Sequence, residues 1–136
     1  MEPVLSIVFP FGGESDIDAA LAATVLLNIQ QMRTRRIPPL YESGVRYQRE
    51  TCLVLSIPET CERFLTATQL LRERKGDCDD LSAYRCAELI FTGEDKRARA
   101  RVFRSGGGFH AIVVRGDGRI EDPSARLGMP TRRRQV

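Results

Sequence analysis

Lys75-Gly76-Asp77-Cys78-Asp79-Asp80-Leu81-Ser82 decides how this chain is read. Gly76 breaks whatever precedes it, and Asp77 followed three residues later by Asp80 is a capping-box-like helix start. Negative charge there favours the positive end of the helix. Cys78 then falls on the first helical position. Leu81, Cys86, Ala87, Leu89 and Ile90 surround more than one side, as expected of a largely buried central helix that stops at Gly93.

Downstream the hydrophobic period changes from helical to two. Ala98, Ala100 and Val102 alternate with Arg97, Arg99 and Arg101, which predicts a half-buried strand with one wet face. After the glycine-rich loop at Ser105 to Gly108, strands are predicted at 109–115 and 119–122, joined by Gly116-Asp117-Gly118 and ended by Pro123. A three-residue loop with Gly118 left-handed pairs Arg115 with Arg119. That register sets Ile112 opposite Asp122, so Asp122 shares a face with His110 as its diagonal neighbour, within carboxylate-to-imidazole reach.

Upstream, Ile17, Leu21, Thr24, Val25 and Asn28 recur at helical spacing and predict a helix from about Asp16 to Arg33. Val4 to Phe9 reads as a short strand or an anchored terminal segment. Pro38-Pro39 ends the helix, and Leu40 to Arg49 is expected to be an extended, exposed loop. Leu53 to Ile57 fits either a strand or a helix lead-in. Pro58 suits a first helical turn, and Cys61, Phe64, Leu65, Thr68 and Leu71 predict an amphipathic helix ending near Arg74. Helices followed by an antiparallel sheet make the class α+β, in one domain over 1–136 with a frayed tail at 129–136.

Composition excludes several functions. A 42% hydrophobic, 29% charged chain is ordinary for a globular protein, and no apolar run approaches a membrane span. Met1-Glu2-Pro3 lacks the basic flank and apolar core of a signal peptide, so a cytoplasmic location and reduced thiols are expected. The four cysteines form no CxxC pair and do not make a zinc set with one histidine. A divalent metal on Asp77, Asp79, Asp80 and His110 is set aside because successive helix residues point about 100° apart. The net charge is +3. The clusters Arg33, Arg35 and Arg36; Arg97, Arg99 and Arg101; and Arg132, Arg133 and Arg134 read as solvated surface, without the stacking aromatics of a nucleic-acid binder.

The remaining pattern is chemical. A cysteine at a helix N-terminus gains from the dipole, and a neighbouring imidazolium lowers its pKa further. His110 is the sole histidine. Cys78, His110 and Asp122, in that order and on those elements, make the arrangement of a thiol acyl-transfer enzyme, with a carboxylate on the histidine's face to fix its tautomer and no cofactor expected. The Cys78 N–H is one oxyanion donor. Asp77, Asp79 and Asp80 work against the thiolate.

Three stretches carry a resemblance: Gly76-Asp77-Cys78-Asp79-Asp80-Leu81, Gly108-Phe109-His110-Ala111-Ile112-Val113-Val114 and Asp117-Gly118-Arg119-Ile120-Glu121-Asp122-Pro123-Ser124. Over about residues 40 to 128 the chain resembles transglutaminase-like cysteine enzymes of the papain-like superfamily. Asp122-Pro123-Ser124-Ala125-Arg126-Leu127-Gly128-Met129 looks most like the compact bacteriophage and prophage versions. The resemblance implies Cys78 as the nucleophile, His110 as general base and acid, Asp122 as the residue orienting His110, a Cys-bearing helix packed on a small antiparallel sheet, and a peptide or protein substrate. It also implies a bacterial cytoplasmic or virion-associated setting, with phage structural proteins as further partners. The chain has no tryptophan, whereas animal transglutaminases use one as an oxyanion donor. Tyr47 is the first substitute, then Tyr41, Gln48 and Gln69. The expected reaction is hydrolysis of an amide or peptide bond; the alternative is an idle assembly or binding module on the same fold.

Overall fold

The computed structural model describes residues 6–10, 13–49, 61–106 and 108–130. The first helix, α1 (Glu14–Thr34), buries Ile17, Leu21, Val25 and Met32 along one stripe, with Thr24 and Asn28 beside them. It packs against α3 (Cys78–Thr92), which is buried on most of its circumference. A three-stranded antiparallel sheet, β5 (Arg99–Ser105), β6 (Gly108–Val114) and β7 (Ile120–Glu121), lies against both helices in the order β5-β6-β7. Ala98, Ala100 and Val102 turn inward, as do Ala111 and Val113, and they join Leu81, Ala87 and Leu89 in one core. The architecture is mixed helix and sheet with a small antiparallel sheet.

Around this layer sit the smaller elements. β1 (Ser6–Pro10) pairs antiparallel with β3 (Cys61–Leu65), and β2 (Arg46–Tyr47) pairs parallel with β4 (Lys75–Gly76). Two helices complete the chain, α2 (Ala67–Glu73) and α4 (Pro123–Arg126).

Two expectations need correction. The helix anticipated from Pro58 to Arg74 is instead a strand, β3, followed by the shorter α2. Thr66 and Gln69 form a capping box that starts α2 there, and β1 supplies the strand partner for residues before it. Local spacing could not reveal a partner about fifty residues away. The stretch from Leu40 to Arg49 is not an exposed loop either. Leu40 opens a 3-10 turn (Leu40–Glu42), Leu40 and Val45 are fully buried, and β2 follows. The alternatives weighed for Leu53 to Ile57 lie outside the described residues.

The caps and turns follow the sequence closely. Asp77 accepts hydrogen bonds from the helix start, while the Asp77 N–H donates to Asp80 Oδ2 at 3.1 Å. Asp80 is wholly buried and also takes the Leu65 N–H at 2.8 Å, tying β3 to the mouth of α3. Gly93 ends α3 with φ 83°, a conformation that favours glycine. In the β6–β7 turn Gly118 has φ 93°, its N–H donates to Arg115 O at 2.9 Å, and the Arg115 N–H donates to Arg119 O at 2.7 Å.

Candidate active site

Cys78 is the first residue of α3 and is partly exposed. Its position relative to the sheet follows from the run of β5 along the helix. At the far end of α3 the Asp95 N–H donates to Leu89 O at 3.0 Å, and Ala98 N–H to Asp95 O at 3.2 Å. Halfway along, the backbone of Ala100 hydrogen-bonds the Cys86 thiol. From Ala100 to Phe103 the strand advances about 10 Å, while from Cys86 back to Cys78 the helix spans about 12 Å. Phe103 pairs with His110. Cys78 and His110 therefore lie at the same end of the helix–sheet layer.

Val113 pairs with Glu121 and Val114 with Ile120, the register the turn predicts, and Asp122 follows directly as the N-cap of α4. His110 Nε2 and Asp122 Oδ2 are 2.8 Å apart. Both side chains are mostly shielded, at 16% and 30% exposure. The hydrogen bond to Asp122 raises the His110 pKa; burial opposes this, and the charges of Asp122 and Asp77 add to the rise. Burial pushes Asp122 upward, but the hydrogen bond and charge of His110, with backbone N–H groups of Ala125 and Ser124, hold it below its ordinary value. The pair is therefore stabilised in its ionised form. Along β6, Ala111 and Val113 face α3, whereas His110 shares the other face with Asp122 and meets the edge of the Phe103 ring. With Nε2 engaged by Asp122, Nδ1 is the ring nitrogen outside that contact.

Tyr47 is placed by backbone pairing on both sides. It lies opposite Gly76 in the β2–β4 pair, its N–H donates to Leu127 O at 3.0 Å, and the Gln48 N–H donates to Gly76 O at 2.8 Å. β2 thus bridges the strand leading into Cys78 and the helix following Asp122. Burial, then the charges of Asp77 and Cys78, push the Tyr47 phenol up to about 12. At neutral pH it is an O–H group within the field of Asp77 and Cys78.

The Cys78 N–H, Tyr41 and Gln69 already have hydrogen-bond partners. The Cys78 N–H donates to Asp77 Oδ1 at 2.7 Å, because the N-cap carboxylate folds back onto the helix start. The Tyr41 hydroxyl donates a hydrogen bond to Glu121, and its ring lies under two guanidinium groups, Arg85 at 4.8 Å and Arg126 at 4.1 Å from the ring centre. Gln69 is buried in the α2 capping box, accepting the Thr66 N–H at 3.0 Å. Gln48 is exposed.

Sequence reading missed the ionic cluster behind the site. Glu121 pairs with Arg85 on α3 at 2.6 Å and with Arg115 at 2.8 Å, and Arg85 also meets Glu88 at 2.8 Å. Burial works to raise Glu121, but hydrogen bonds from Tyr41, Arg85 and Arg115 bring it below its ordinary value. The signal was available: Glu121 stands opposite inward-facing Val113, so a carboxylate was bound to point at α3. Of the other cysteines described, Cys86 is fully buried and burial pushes its thiol up to about 12.

Among the described residues no group of three His, Cys, Asp or Glu side chains could hold a metal ion, and no helix is long and apolar enough to cross a membrane. Comparison with protein-family models, curated proteins and solved structures finds no significant match.

Proposed function

We propose that the chain is a transglutaminase-like thiol acyl-transfer enzyme on a compact papain-like core, hydrolysing an amide or peptide bond through Cys78, His110 and Asp122. The observation that carries this reading is the 2.8 Å contact between His110 and Asp122, made by the chain's only histidine at the Cys78 end of α3. The Cys78 thiolate attacks the amide carbon while imidazolium protonates the departing amine. Imidazole then takes a proton from water, whose oxygen displaces the sulfur from the thioester. Asp122 holds the tautomer that leaves Nδ1 for these transfers. Tyr47 donates to the oxyanion. A partly exposed thiol has little to exclude water, which favours hydrolysis over transfer to an amine.

Cell-wall peptide or a phage structural protein is the substrate class we assign from the phage-like resemblance, in the bacterial cytoplasm or the virion. Two observations favour a second reading, an idle assembly or binding module. The Cys78 N–H that would bind an oxyanion is already held by Asp77, and His110 is on the face of β6 opposite Ala111 and Val113, which pack on α3, the helix that Cys78 opens.

Limited iodoacetamide at about pH 6.5 separates the two, because only a depressed thiol pKa gives appreciable thiolate there. The enzyme reading expects Cys78 to be alkylated first and His110→Ala to slow it. Equal labelling of all four cysteines supports the module.

A further inference from the structure

The outer face of β5 beside His110 carries side chains that the acyl-transfer steps leave unused. Phe103 stands edge-on to His110, with ring centres 5.7 Å apart and planes at 86°, yet it remains 43% exposed. A phenyl ring left this open against a mostly shielded imidazole is apolar area that a ligand could cover. Two residues back on the same face is Arg101, whose side chain is 49% exposed. Its Nε lies 3.6 Å from Asp18 Oδ2, while Asp18 Oδ1 takes the Val102 N–H at 2.9 Å. Asp18 is thus fixed to the strand backbone and steadies the guanidinium from one side. Arg99, a further two residues back, is also exposed.

Side chains on one face of a strand repeat about every 7 Å, and an extended peptide lying alongside repeats at the same interval. Phe103 and Arg101 therefore present an apolar contact and a cation at the spacing of alternate peptide side chains. We infer that this face is the substrate-recognition surface of the site. It takes an extended peptide with an apolar side chain next to the attacked carbonyl and a carboxylate two residues toward its N-terminus. The inference rests on the thiol-enzyme reading and gives it a substrate class. Recognition falls on the acyl part because that part stays attached through the thioester, so both steps benefit. A guanidinium pairs with carboxylate in planar, two-pronged geometry, and Arg99 extends the same field. A lysine at that substrate position meets repulsion instead.

Peptide chloromethyl ketones test this without knowledge of the natural substrate, since the thiolate forms a thioether at the methylene carbon and expels chloride. Acetyl-aspartyl-glycyl-leucine chloromethyl ketone is compared with its lysyl and glycyl-glycyl counterparts, reading the rate of Cys78 modification by peptide mass mapping. The aspartyl reagent is expected to react roughly threefold to tenfold faster than the lysyl one, the scale of an exposed ion pair gained against one repelled. Arg101→Gln, a surface change, should bring that ratio toward one, and Phe103→Ala should reduce the leucyl preference by roughly threefold. Equal rates for all reagents, with Cys78 still alkylated ahead of the other thiols, overturn the recognition surface and leave the enzyme reading standing. No selective reaction at Cys78 with either iodoacetamide or the peptides overturns both.

Discussion

Replacing Asp122 by Asn tests the His110–Asp122 pair while leaving its surroundings in place. Asp122 also caps α4, accepting the Ala125 N–H at 3.3 Å, and asparagine caps a helix about as well as aspartate. The substitution therefore removes charge and little else. A hydrogen bond to a charged group contributes about 1.5–3 kcal/mol and a neutral one about 1 kcal/mol, so the loss is about 1–2 kcal/mol where the imidazole is protonated. Both side chains are less than a third exposed, so solvent screening takes little from this figure.

The pH dependence has a definite sign. His110 is raised in the folded state, so its contribution is complete below the unfolded value of about 6.5 and is lost as pH rises through the folded value. Asp122 is lowered, so its contribution is complete above about 3.9 and is lost as pH falls through the folded value. The two overlap from about pH 4 to 6.5. Urea unfolding of parent and variant at about pH 5.5 should differ by the full 1–2 kcal/mol, shrinking to roughly half at about pH 9, where neutral imidazole still donates to the carboxylate. Because the chain has one histidine, its ring protons also give an unambiguous NMR titration, and the midpoint should fall in Asp122→Asn. A cost that stays flat from acid to alkaline pH, with an unmoved midpoint, would refute the ion pair.

Glu121→Gln should destabilise the fold by about 1–3 kcal/mol in urea, because Arg85 and Arg115 lose their nearest carboxylate while Arg85 keeps Glu88 and Arg115 keeps the more distant Glu94 and Asp95; a cost below about 1 kcal/mol would show the cluster to be surface electrostatics. Gly76→Ala places a Cβ 2.4 Å from Leu70 Cδ2 and should lower stability by about 1–3 kcal/mol, read as a drop in thermal midpoint. Tyr47→Phe should leave the fold and the iodoacetamide rate of Cys78 intact while reducing amide turnover by about a hundredfold, the cost of one oxyanion donor. Unchanged turnover would move that role elsewhere.

What could be read in advance was whatever neighbouring residues specify. The Asp77–Asp80 cap, the Gly93 stop, the Gly116-Asp117-Gly118 turn and the alternation on β5 all act over a few positions, and each stands where the sequence put it. The turn mattered most for the site, since one residue more or less would send Asp122 to the opposite face. What could not be read was set by distant partners. β3 is a strand because β1 lies beside it, and the buried Leu40 and Val45 reflect packing against α3 and the β2–β4 pair. The Asp77 carboxylate caps the Cys78 N–H by a side-chain rotation that composition does not encode.

Neighbouring carboxylates at the end of β7, Glu121 within it and Asp122 just beyond, divide the work of holding the histidine. Strand alternation turns Glu121 inward, where Tyr41, Arg85 and Arg115 grip it, and turns Asp122 outward to His110. β7 has only two residues paired with β6, too few to fix a register by backbone bonds alone. Anchoring Glu121 to α3 supplies the missing constraint, because a one-residue slip would bury Asp122 against Arg85 and expose Glu121. α3 begins at Cys78 and carries Arg85 two turns later, so the same helix that presents the thiol also sets where the histidine's carboxylate partner stands. Displacing Glu121 should therefore lower the His110 titration midpoint even though the two side chains sit on opposite faces. A Glu121→Gln protein that keeps the parent midpoint while losing stability would show the two carboxylates to be independent.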